Sequence, residues 1–208
     1  MENNSYHPYV TERVCRFDGT PIGACYSASL MHCVPERDAL LHEGEIITQH
    51  YQSADAAGLI IIPLAGNSVM SFLHDVDNYS SLQHENVRLA INYATLRQAG
   101  SALRAVASRF SFWLYDLAPP GTEWKNITDF PFSGIVLSDD FFRENYLKFS
   151  FPFLLASLRE TQAEVILPKR LANAAELSSA LPGVNVYTKF CASALSPDYA
   201  GQDGAISS

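Results

Sequence analysis

Basic residues are scarce in this sequence. In 208 residues, 14 Lys and Arg stand against 22 Asp and Glu, giving a formal net charge of −8 and a pI near 5.1. A nucleic-acid-binding face needs clustered cations to replace phosphate counterions. Arg97, Arg104 and Arg109 come nearest to such a cluster, and their spread reads as a solvated face. Direct nucleic-acid binding by this chain is therefore not expected. Long apolar runs are missing as well. A transmembrane helix needs about 20 continuous apolar residues. The most apolar stretch, GLIIIPLAGNSVMSFLHDV (58–76), is broken by Pro63, Gly66, Asn67 and Ser68, so no membrane partner is expected.

Cysteine is sparse too. Cys15, Cys25, Cys33 and Cys191 form no C-x-x-C pair of the zinc or thioredoxin type. The opening MENNSYHPYVTERVC lacks the basic-then-apolar order of a signal peptide. Together these predict a cytoplasmic protein with reduced, mostly buried thiols; a Cys25–Cys33 disulfide is the alternative. The common catalytic signatures are also absent: no G-x-G-x-x-G, no P-loop and no H-E-x-x-H. AGNSVMS around Ser68 departs from G-x-S-x-G because Met70 stands where the second glycine belongs.

What is present is a globular composition, 48% apolar and 17% charged. The length suits one well-buried domain, or one with a small helical appendage. Twelve Phe, 10 Tyr and 2 Trp suit a β-rich core or an aromatic-lined cavity. Residues 1–25 are polar, with FDGTPIGA (17–24) as a loop or hairpin tip. GEIITQHYQ (44–52) reads as a strand with polar groups on both faces, a cavity lining or a sheet edge. As a helix, the 58–76 stretch would carry Pro63 and Gly66 inside it, costing about 3 and about 1 kcal/mol. The expectation is a β-hairpin turning at AGNS, with Pro63 at a strand end or edge. Residues 84–110 favour helix by their Ala, Leu and Arg content, although VRLAINY alternates like a strand.

RFSFWLYDL predicts a strand ended by Pro119-Pro120-Gly121, and Ser133 to Leu137 another. From Ser138 the signals turn helical: an N-cap serine followed by Asp139 and Asp140, then FPFLLASLRETQ with a proline near its start. PKRLANAAELSSALPG and NVYTKFCASAL read as further helices. The expected organisation is a polar segment (1–25), a strand-rich barrel-like portion (26–137), a helical portion (138–195) and a disordered tail (196–208). The fold class is α+β, a β-barrel or sandwich-like N-terminal portion followed by C-terminal helices.

HDVDNYSSLQHE holds His74, Asp75, Asp77, His84 and Glu85, residue types a metal site uses. Strand ligands must alternate to share a face, and these do not, so the reading is a solvated loop and no metal or other cofactor is expected. Asp139-Asp140 caps a helix; Glu123-Trp124 belongs to turn packing or to a pocket mouth. A pocket for a small, partly apolar molecule is expected from Tyr51, His74, Trp113 and Tyr115.

Several stretches resemble the sensor domains of AraC-type transcription regulators, across roughly residues 44–190. LIIIPLAGNSVMSF is similar to a barrel hairpin and PPGTEW to the turn before the last strands. SGIVLSDDFFRENYL is similar to the passage that ends the barrel, and LPKRLANAAELSSALPGVNVYTKF to the linker and helix beyond it. The resemblance implies a non-enzymatic sensor: a cupin-like barrel holding a small effector, and C-terminal helices making a homodimer. It departs where that family's helix-turn-helix units would follow, since this sequence stops at Ser208. The alternatives are a cupin-like metal-dependent enzyme using His50, His74 and His84, and a protein–protein interaction module.

Overall fold

Strands and helices alternate along the chain. The computed structural model describes residues 10–26, 58–64, 67–167, 181, 184 and 186–189. Within them eight strands close into one barrel in sequence order. β1 (Val10–Arg16) and β2 (Pro21–Tyr26) form an antiparallel hairpin. Its tip is set by Gly19 at φ 87° and by Asp18, whose carboxylate accepts the Thr20 N–H at 2.8 Å. That hydrogen bond holds the Asp18 carboxyl below the usual carboxylate range.

β3 (Leu59–Pro63), β4 (Val87–Asn92), β5 (Phe112–Leu117), β6 (Phe132–Leu137), β7 (Glu164–Leu167) and β8 (Val186–Lys189) then run parallel to β2. β8 closes the ring by pairing antiparallel with β1. Among the described residues, helices make the crossovers between successive parallel strands from β3 to β7. α1 (Asn67–His74) follows β3, α2 (Tyr93–Val106) follows β4, and α3 (Trp124–Thr128) follows β5. α4 (Asp139–Asn145) and α5 (Phe151–Glu160) lie between β6 and β7.

This corrects the expected cupin-like barrel, which is built from antiparallel strands. The α+β and barrel-like description holds at the coarse level, but β7 and β8 fall among residues read as helical. The 58–76 stretch is not a hairpin. Pro63 ends β3, where its missing N–H costs nothing in the ladder, and the chain continues as α1. Val69 and Phe72, three apart, are buried on that helix while Met70 is 55% exposed, a helical period rather than a strand's. Residues 84–110 hold both candidates in succession: VRLAIN is β4, and Asn92 caps α2 by accepting the Thr95 N–H at 2.8 Å. GEIITQHYQ and the tail from 196 lie outside the described residues.

The core has two layers. Ile60, Ile62, Leu89, Ile91, Leu114, Ile135 and Val165 point outward and pack against Phe72, Leu96, Leu103, Phe142, Leu155 and Leu158 of the helices. Val14, Ile61, Ala90, Trp113, Val136 and Ile166 point inward and fill the barrel. Strands buried on both faces read as continuous apolar runs, which is why LIIIP and FSGIVL show no alternation.

Inside, the indole of Trp113 lies across Gly134 on the neighbouring strand. A methyl group at position 134 would sit 2.6 Å from Trp113 Cε2 and 2.7 Å from Nε1. Overpacking of this kind costs about 1–3 kcal/mol. Gly134→Ala is expected to lower the urea midpoint accordingly, with a changed tryptophan emission in the native baseline. An unchanged midpoint and spectrum would show that the indole has room to spare.

Candidate functional site

In barrels of parallel strands with helical crossovers, functional groups gather on loops at the C-terminal ends of the strands. At that rim, alternation along β5 sets Tyr115 on the same inward face as Trp113. Their rings stack with centroids 6.5 Å apart and planes at 29°. The Tyr115 ring is half-buried and its hydroxyl is enclosed. Asn92 of β4 stands in register beside Tyr115, but its Oδ1 caps α2. Ser138, just past β6, accepts the Phe141 N–H at 3.2 Å through Oγ, and its own N–H donates to the Leu117 carbonyl at 2.6 Å. These polar rim groups are committed to holding helices and strands. Among the described rim residues, Trp113 and Tyr115 form the stacked aromatic pair.

Charge collects at the opposite, N-terminal end. Alternation from Val14, Ala90 and Ile166 places Arg16, Arg88 and Glu164 on the inward face there. Arg88 Nη1 donates to the Glu85 carbonyl at 2.6 Å and the Val87 carbonyl at 2.9 Å, and burial lowers its pKa from the ordinary arginine value. Burial raises the Glu164 carboxyl above the usual glutamate range, with the Arg16 charge opposing it. The apolar layer around Trp113 separates these charges from the rim.

Of the residues the sequence singles out, the structure brings Trp113 and Tyr115 together. His74 ends α1 and is exposed on the outer helical layer, roughly 12 Å along that helix from its start near the rim. Tyr51 and His50 lie outside the described residues. Asp77 pairs with Arg109 at 2.8 Å, Asp75 with Asn78, and His84 with Asn86. Among the described residues no three of His, Cys, Asp and Glu converge as metal ligands would. Glu123 N–H donates to Tyr93 Oη at 2.6 Å and Trp124 packs on Phe141 at 6.2 Å, which is turn packing. Asp139 pairs with Arg143 at 3.6 Å along α4. Arg97 and Arg104 are exposed on α2.

Sequence reasoning missed Gly134, Arg88, Glu164 and Asn92. The spacing Arg88, Ala90, Asn92 does carry a period of two. Gly134, by contrast, owes its importance to a strand partner 21 residues away, by subtraction from the Trp113–Gly134 register.

No protein-family model matches the sequence, and no curated protein sequence matches it. Solved structures share the fold. The EAL-like domain protein YdiV superposes with a TM-score of 0.70 at 14% identity, over 88% of this chain and 89% of that one. The PaMucR phosphodiesterase in complex with c-di-GMP gives 0.61 at 13%, over 88% and 87%. A standalone EAL protein from Vibrio cholerae in its c-di-GMP-bound form gives 0.61 at 11%, over 88% and 89%. At such identities the likeness is one of fold. It overturns the resemblance to AraC-type sensor domains and, with it, the assignment to transcription regulation: PPGTEW leads from β5 into α3, not into the last strands of a cupin. No helix among the described residues is long and apolar enough to cross a membrane.

The Glu164 shift has a pH signature. Because folding raises this carboxyl's pKa, the folded state favours the protonated form, so the group's ionisation erodes stability as pH rises through the carboxylate range. Glu164→Gln is expected to melt above the parent at about pH 7 and to lose that advantage near about pH 4. A melting temperature below the parent's at about pH 7 would show instead that attraction to Arg16 dominates.

Proposed function

We propose that this chain is an EAL-fold domain that binds a cyclic dinucleotide without hydrolysing it, with Tyr115 as the platform for one base. The observation that carries this reading is the Tyr115–Trp113 stack at the C-terminal end of the barrel, with its polar neighbours Asn92 and Ser138 already engaged in caps. Two proteins of the same fold are described in complex with c-di-GMP. A purine has a flat π-face, and base–aromatic stacking contributes about 1–3 kcal/mol per base. Tyr115 is held flat from below by the buried indole, so little side-chain entropy is lost when a base lands on it. Trp113 then serves as a positioning residue. The cytoplasmic location expected from the sequence belongs to the same proposal, since a signalling nucleotide is met there.

Hydrolysis asks for more than a platform. Cleaving a phosphodiester needs an activated water and stabilisation of charge on the phosphoryl oxygens, commonly from carboxylate-held divalent ions. The described part of the rim supplies an aromatic face and capping groups, which suits retention of the nucleotide over its cleavage.

Calorimetric titration with c-di-GMP, with and without Mg²⁺ or Mn²⁺, followed by chromatography of the nucleotide, tests the reading. The nucleotide is expected to bind and to be recovered intact. Tyr115→Ala should weaken binding by about tenfold or more, and Tyr115→Phe should retain it. Appearance of the linear dinucleotide, absence of binding, or parent-like affinity in Tyr115→Ala would each overturn it.

A further inference from the structure

The N-terminal mouth of the barrel holds a cation without a counterion. Leu89 pairs with Phe112, so Arg88 stands beside Ser111, one inward level below Ala90 and Trp113. Its Nη1 is turned back onto the Glu85 and Val87 carbonyls. A guanidinium carries five N–H donors in a planar fork, and those on Nε and Nη2 meet no acceptor among the described residues. No carboxylate among those residues pairs with Arg88 either, and desolvation alone lowers its pKa. A charge taken partly out of water without a partner is costly. A second donor lies close by. Trp113 Nε1 is buried and has no acceptor among the described residues. That edge of the indole lies over Gly134, which pairs with Glu164, the first residue of β7. Buried polar groups are normally paired, and an exception asks for a reason.

We propose that the N-terminal mouth binds one small tetrahedral oxyanion, inorganic phosphate or sulfate, on Nε and Nη2 of Arg88 and within reach of Trp113 Nε1–H. An arginine fork matches two oxygens of such an anion, and charge-assisted bonds of this kind are short and strong. The charge balance at the mouth suits it. Arg16 and Arg88 face inward there with Glu164, two cations to one carboxylate. The Arg16 charge acts on Glu164, which leaves Arg88 unmatched. Ser111, beside Arg88, is bonded to Ser133 at 2.8 Å and brings no charge. The size limit comes from the layer above, where Ala90, Trp113, Val136 and Ile166 fill the barrel. This end is opposite to the Tyr115 rim, so the proposal does not rest on the nucleotide reading.

Titration of the full chain with phosphate and with sulfate, at an ionic strength held constant with chloride, tests the proposal through the indole N–H resonances. The chain has 2 tryptophans, and Trp124, exposed at the start of α3, serves as the reference. The Trp113 resonance is expected to shift and saturate while that of Trp124 stays in place. Arg88→Met should weaken binding by about tenfold or more, because charge-assisted bonds are lost. Glu164→Gln should strengthen it by about two- to fivefold, because the carboxylate across the mouth is removed. An arginine that only braced the 85–87 loop would not make these substitutions act in opposite directions on affinity. A Trp113 resonance that does not move, a shift that chloride reproduces, or parent-like affinity in Arg88→Met would overturn the proposal. If Arg88→Met does not fold, Glu164→Gln decides: unchanged or weaker binding in that variant overturns it.

Discussion

The indole of Trp113 lies across Gly134, and the rest of the barrel is sized to that contact. Eight strands enclose a space just wide enough for side chains. Here the other inward positions at mid-height are modest in volume: Val14, Ile61, Ala90, Val136 and Ile166. One large ring, fully buried, supplies the bulk they lack. The arrangement requires glycine at position 134, since a Cβ there has no space. It also closes the barrel's middle. In the proposed reading a ligand meets the molecule at the rim, where Tyr115 rests on the indole. The stack joins packing to the proposed function: the residue that fills the core also backs the Tyr115 ring above it.

How much of this was legible in the sequence follows from how local each signal is. The hairpin tip at Asp18-Gly19, strands β5 and β6, the Ser138 cap and the start of α5 all rest on a few adjacent residues, and each is where the sequence indicates. The stretch from Gly58 to Val76 defies a hairpin expectation because its two halves belong to different element types. Burial on both faces erased the alternation of β3, and the break at Pro63 served a strand-to-helix passage. Parallel pairing was not legible at all. Ile61 sits beside Arg88, and nothing near either residue encodes the other. Without that pairing the strand-rich first half suggested an antiparallel cupin-like barrel.

The site followed the same logic. Trp113 and Tyr115 share a face because they are two apart on a strand, a relation any strand assignment preserves. His74 can share a face with them only if 69–76 is extended. As the last residue of α1 it stands on the outer layer. Gly134, Arg88 and Glu164 gain their roles across strand neighbours, so only a three-dimensional register exposes them.

The two ends of the barrel divide the work. Arg16, Arg88 and Glu164 solvate the N-terminal mouth, the end that carries stability in folds of this kind, while the C-terminal rim offers aromatic surface. The central claim is that a closed, Trp113-filled barrel presents Tyr115 to a nucleotide. Heteronuclear NMR of the Trp113 indole N–H tests it most directly, with the signal assigned by Trp113→Phe. The account predicts slow exchange of this proton with deuterated water, and a shift of its resonance as c-di-GMP is added. Rapid exchange together with a resonance indifferent to the nucleotide would contradict it.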